Sequence, residues 1–109
     1  MTDKIVVLTT CAAAVDAERM ARALIDGRLA ACVNVVPGVR SFYHWKGETQ
    51  NSEEFLLIVK TSRDLFGALC AEMEKLHPYE VPELLALPVV AGAEDYLRWL
   101  QSNLRGAQE

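Results

Sequence analysis

Ile5-Val6-Val7-Leu8 is apolar at every position, the pattern of a short strand covered on both faces and not on one alone. Thr9 and Thr10 follow, and their β-branching keeps the segment extended. Within residues 16–26, Met20, Ala23 and Leu24 fall at helical spacing, and Gly27 supplies a stop. Residues 33–46 are rich in β-branched and aromatic side chains, with Pro37-Gly38 predicting a bulge or bend inside that run. Gly47 marks a turn into a second extended run, 53–61, whose centre Phe55-Leu56-Leu57-Ile58-Val59 is again apolar on both alternations. Thr61 with Asp64 fits a capping box, and Leu65, Leu69, Met73 and Leu76 form the apolar stripe of the helix it would open. That helix must end near His77, because Pro78 disfavours helical geometry in the residue before it. Residues 84–90 read as a fourth strand, with Pro88 placing it at an edge or ending it. Residues 93–104 read as a closing amphipathic helix with Tyr96, Leu97, Leu100 and Leu104 inward.

The order is therefore β-α-β, β-α-β and a helix. It predicts a single α+β domain spanning residues 1–109, a ferredoxin-like split β-α-β sandwich with an extended hairpin and a C-terminal helix. Two features predict that this domain assembles with copies of itself. Both central strands are apolar on both faces, yet the two crossover helices cover only one. The hairpin also outruns its helices, since strand 33–46 reaches about 45 Å at 3.3 Å per residue, against about 20 Å for a helix of thirteen residues. The overhang carries Phe42, Tyr43 and Trp45, a patch with open strand edges that soluble monomers avoid.

Composition narrows the function classes. The hydrophobic fraction of 51% is high for a 109-residue chain, consistent with more apolar surface than one small core absorbs. A net charge of −4 gives no electrostatic footprint for nucleic acid. The apolar run before Thr9 is too short for a signal peptide, and no stretch reaches transmembrane length. Three cysteines, Cys11, Cys32 and Cys70, are an odd number without paired spacing, which fits reduced thiols in a cytoplasmic protein.

Several segments together resemble the CutA divalent-cation tolerance family. They are Leu29-Ala30-Ala31-Cys32-Val33-Asn34, Pro37-Gly38 with Tyr43 and Trp45-Lys46-Gly47, Lys60-Thr61, His77-Pro78-Tyr79-Glu80-Val81-Pro82-Glu83 and Asp95-Tyr96-Leu97-Arg98-Trp99-Leu100. The resemblance runs from about Ile5 to Arg105, and the histidine-proline-tyrosine block is its most specific part. It implies a ferredoxin-like homotrimer, PII-like in assembly, in which hairpins of neighbouring chains pair at their edges, and a role in the response to copper or another divalent metal ion. Some bacterial members carry a cysteine near the end of the first strand and two adjacent histidines before the proline, proposed to hold copper. This chain has Thr9 and Leu76 at two of those positions and keeps only His77.

His77 is the best single metal candidate, since imidazole suits copper, zinc and nickel; the alternative is a structural histidine at a helix C-terminus. Cys11, expected in a loop before the first helix, is the one thiol with a claim to metal, though a two-residue offset from Thr9 is about 7 Å along a strand. Cys32 and Cys70 read as structural thiols, and His44 as solvent-facing near the hairpin tip. Lys60, Thr61, Tyr79, Glu80 and Glu83 are expected to converge at a subunit boundary, either as a cleft for a small polar ligand or as a salt-bridged contact. The chain has no nucleophile–base pair at recognisable spacing, no phosphate-binding glycine loop and no HExxH motif. A binding or regulatory protein is the expected class, with an enzyme sited in an intersubunit cleft as the alternative.

Overall fold

A computed structural model describes residues 1–106. β1 (Lys4–Cys11) leads through α1 (Ala14–Asp26) to β2 (Cys32–Trp45), which turns back as β3 (Glu48–Ser62); a single 3-10 turn then opens α2 (Phe66–Leu76), and β4 (Leu85–Pro88) and α3 (Glu94–Ser102) follow. The strands form one antiparallel sheet in the order β2-β3-β1-β4, the split β-α-β arrangement expected from the element order.

The hairpin is longer than its apolar content suggests. β3 begins at Glu48, because pairing across from β2 carries the polar stretch Glu48–Asn51 into the ladder. Lys46 and Gly47 form a two-residue turn with φ of 52° and 80°, the double left-handed geometry whose twist matches antiparallel strands. The bulge expected at Pro37-Gly38 is present, as the register shifts between Val36 and Val39 and Gly38 sits at φ 74°. These features give a molecule 49 Å in its longest dimension and 22 Å in its shortest.

The core lies on one face of the sheet. Ile5, Val7 and Cys11 of β1 and Leu57 and Val59 of β3 pack against Ala17, Met20 and Leu24 of α1 and Leu69 and Met73 of α2. The opposite alternation tells a different story. Val6, Leu8, Leu56 and Ile58 are only half-buried, and on edge strand β4, Leu85 and Leu87 are 57% and 48% exposed. α3 shields one end of this open face, where Leu100 and Leu104 are buried.

Three local expectations are corrected. The capping box does not form: the Thr61 hydroxyl donates to the Leu29 carbonyl at 2.7 Å, and Ser62, at the helix start, makes no side-chain cap. Cys11 is no loop residue; β1 continues through it and buries it fully. Tyr96 is no core position: its ring faces Lys60 of the sheet but remains 42% exposed, leaning on Trp99 with ring centroids 5.6 Å apart.

Candidate functional site

The residues with chemical potential gather where β1 ends, α2 ends and β3 passes the bulge. Pro78 holds His77 in extended geometry at ψ 133°, and the His77 backbone amide donates to the Met73 carbonyl to close α2. From α1, the Arg19 guanidinium donates to the Leu76 carbonyl at 2.6 Å, placing a cation at the negative end of the helix dipole. His77 is thereby pinned between two helices and the end of β1.

Both nitrogens of the imidazole are engaged. Nδ1 accepts from the Tyr79 amide at 3.1 Å, and Nε2 lies 2.8 Å from the Thr10 carbonyl. An amide can only donate and a carbonyl can only accept, so the proton sits on Nε2 and the ring is neutral. With only 7% of the residue exposed, His77 is a structural clasp in this chain.

Beside the clasp lies a buried acid. The Tyr79 ring tilts against His77 at 4.7 Å, and its hydroxyl donates to the Glu54 carboxylate at 2.5 Å. Burial, then the hydrogen bond to Glu54 and its charge, push the Tyr79 phenol far above its usual range. Glu54 itself is only 6% exposed. Burial and the nearby Asp16 carboxylate also raise the Cys11 thiol; its sulfur lies 3.6 Å from the Ala13 carbonyl, which suits a protonated thiol and not a thiolate ligand.

Lys60 and Thr61 lie elsewhere. Lys60 pairs with Val6 at the opposite end of the sheet, six residues along β3 from Glu54, or roughly 20 Å. Within one chain, the expected meeting of Lys60 and Thr61 with Tyr79, Glu80 and Glu83 does not take place. Thr61 is buried and spent on the Leu29 carbonyl, while Glu80 and Glu83 are exposed. The Lys60 ammonium sits 5.9 Å from the centre of the Tyr96 ring, within cation–π range.

Nor do the described residues supply a metal cage. Among the described residues, no three His, Cys, Asp or Glu side chains are grouped so as to hold an ion. Thr9 faces the helices, fully buried, and its hydroxyl has no hydrogen-bond partner. Leu76 packs against the core.

Comparison with known proteins places this arrangement. Residues 5–103 match the model of the family described as CutA1 divalent ion tolerance protein. The chain belongs to the CutA1 family. A divalent-cation tolerance protein CutA from Thermus thermophilus is 48% identical over 98 residues, covering 90% of this chain and 95% of that protein. Protein CutA from Homo sapiens is 44% identical over 92 residues, 84% of this chain and 51% of its own length. Among solved structures, the Thermus thermophilus protein superposes with a TM-score of 0.91 at 46% identity, covering 94% of this chain and 99% of that one. CutA1 from Oryza sativa gives 0.93 at 43%, covering 94% of each. The CutA1 fold thus accounts for nearly all of the chain, and divalent-cation tolerance is in the name of its Thermus thermophilus relative.

Three features of the site had no distinct signal in the sequence. Glu54 and Glu53 are adjacent acids, and only the strand's alternation makes one buried and the other exposed. Arg19 acts on a helix far along the chain. Tyr96 looks like an ordinary core position until α3 is placed.

Proposed function

We propose that the chain acts as a cytoplasmic homotrimer that binds or responds to divalent cations, copper foremost, as a regulatory protein and not as an enzyme. The observation that carries the assembly is the half-covered sheet. Its open face presents Leu85 and Leu87, and its long edge strand β2 presents Phe42 and Trp45 at 66% and 60% exposure. A neighbouring copy of the chain covers such a surface at little cost in specificity, because strand edges and apolar faces are present in every copy.

The cation side of the proposal is constrained by the donor set. One chain offers a histidine whose nitrogens are both occupied and a thiol held protonated. To take a metal, His77 must give up the Tyr79 amide or the Thr10 carbonyl. Copper is therefore bound weakly and through few protein donors, unless neighbouring chains contribute others. Light scattering at micromolar concentration, followed by calorimetric titration with Cu(II), tests both halves. A monomer mass removes the assembly. Tight copper binding that survives His77→Ala relocates the metal site.

A second reading, a trimer that binds a small polar ligand or acts on it in an intersubunit cleft, is favoured by the surroundings of Lys60. No carboxylate lies within salt-bridge distance of that cation among the described residues.

A further inference from the structure

The neutral His77 ring has one lone pair to give, since one of its nitrogens carries the proton and only the other accepts. Nε2 faces the Thr10 carbonyl at 2.8 Å, and Nδ1 accepts from the Tyr79 amide at 3.1 Å. A cation at Nδ1 displaces that amide directly. A cation at Nε2 does not spare it, because the ring proton then moves to Nδ1 and points at the Tyr79 N–H, donor against donor. Whichever nitrogen is taken, the Tyr79 amide must leave.

His77 is not free to move in its place. Its own amide donates to the Met73 carbonyl at 2.8 Å, and Arg19 holds the preceding Leu76 carbonyl. The segment beyond it is held more lightly. Pro78, Glu80, Val81 and Glu83 are exposed. Among the described residues, the hydrogen bonds that hold segment 78–83 within the chain both come from Tyr79, its amide on His77 and its hydroxyl on Glu54. Glu54 is fixed in turn by β3, opposite Val39 at the end of the hairpin bulge.

We propose that Tyr79 is an autoinhibitory latch: anchored by its hydroxyl on Glu54, it keeps its amide on the lone pair of His77 and must be released before a divalent cation binds there. This role rests on the reading of the chain as a cation binder and adds to it a control of affinity. The apparent affinity is that of the bare imidazole reduced by the fraction of chains whose latch is open. A hydrogen bond to a carboxylate as buried as Glu54, 6% exposed, is charge-assisted and shielded from water, which keeps that fraction small. His77, Thr10, Tyr79 and Glu54 belong to one chain and already touch there, so the latch needs no surface that a neighbouring copy covers.

Calorimetric titration of the assembled protein with Cu(II), and amide hydrogen exchange followed by NMR with Zn(II) as a diamagnetic cation, test the latch. Tyr79→Phe keeps the ring and the charge and removes only the anchor. It is expected to bind Cu(II) about tenfold or more tightly than wild type, the usual worth of a hydrogen bond to a charged group, and His77→Ala in the same background is expected to lose that gain. Tyr79→Phe combined with Glu54→Gln is expected to keep most of it, because the anchor is absent in both. In wild type, saturating Zn(II) is expected to speed exchange at the Tyr79 amide and to leave the His77 amide, held by Met73, unchanged. Far-UV circular dichroism and particle mass check that the variants remain folded and assembled; the Zn(II) arm uses wild type alone and decides even where Tyr79→Phe does not fold. Cu(II) binding that needs His77 but is equal in wild type and Tyr79→Phe overturns the latch and leaves the cation reading standing. So does a Tyr79 amide unmoved at saturating Zn(II), or a gain lost with Glu54→Gln, which would make the freed carboxylate a ligand. No Cu(II) binding in any variant, or binding indifferent to His77→Ala, overturns both.

Discussion

The Tyr79 hydroxyl spans from the loop after α2 to the Glu54 carboxylate of β3 and closes a hydrogen bond of 2.5 Å. It ties the family's most specific segment to the root of the long hairpin. Because the Tyr79 amide also holds His77, one residue links the end of β1, the end of α2 and the start of the hairpin overhang.

Replacing Tyr79 by Phe removes the hydroxyl and leaves Glu54, 6% exposed, without that partner. Leaving a buried polar group unsatisfied costs about 1–3 kcal/mol. Urea denaturation at fixed protein concentration is expected to show a loss in that range. Glu54→Gln, which preserves an acceptor for the phenol, is expected to lose less. An unchanged midpoint for Tyr79→Phe would show that water satisfies Glu54.

Alkaline pH probes the same corner. The folded chain raises both the Cys11 thiol and the Tyr79 phenol above the ordinary values of 9.0 and 10.0 for such groups. The unfolded chain therefore ionises first as pH climbs, and protons are retained better by the native state. The stability these groups confer is complete below about pH 9 and is lost progressively above it. Melting temperatures from pH 7 to 11 are expected to fall along the alkaline limb. The fall is expected to be shallower in Tyr79→Phe and in Cys11→Ala, whatever their stability at neutral pH.

Thr9 gives a prediction of opposite sign. Its hydroxyl is fully buried among apolar neighbours and has no partner. Valine keeps the branched shape and removes the desolvated group, so Thr9→Val is expected to stabilise the protein by about 1 kcal/mol. A higher urea midpoint checks it, and destabilisation would imply a bound water or ligand at that hydroxyl.

Trp45 is 60% exposed on one chain, where its loss costs little. If neighbouring chains cover it, Trp45→Ala is expected to lower the melting temperature by several degrees and the wild-type melting temperature to rise with protein concentration. A melting temperature independent of both would place the ring in solvent.

For copper, His77→Ala is expected to abolish most of the weak calorimetric signal. Joint Thr9→Cys and Leu76→His substitution is expected to strengthen it by adding soft and imidazole donors. Acidification is expected to weaken binding wherever imidazole is the donor, because protons compete for the same nitrogen. A signal equal in wild type and both variants would mean that none of these side chains reaches the ion.

Local pattern carried most of the architecture. Doubly apolar strands, the stripe Leu65-Leu69-Met73-Leu76, the break at Pro78 and the bulge at Pro37-Gly38 each follow from backbone sterics and side-chain period, which act over a few residues. From these alone came the β-α-β order, the long hairpin and the surplus of apolar surface. What tertiary structure decided was where polar groups find their partners. Thr61 satisfies Leu29 and not its own helix, and His77 spends both nitrogens on backbone. Glu54 is buried beside Tyr79 while Glu53 meets water, and Lys60 stands at the far end of the sheet, beside Tyr96. Hydrogen bonds and charges couple residues that are distant in the chain and need placement to within a few tenths of an ångström, and no local period encodes that.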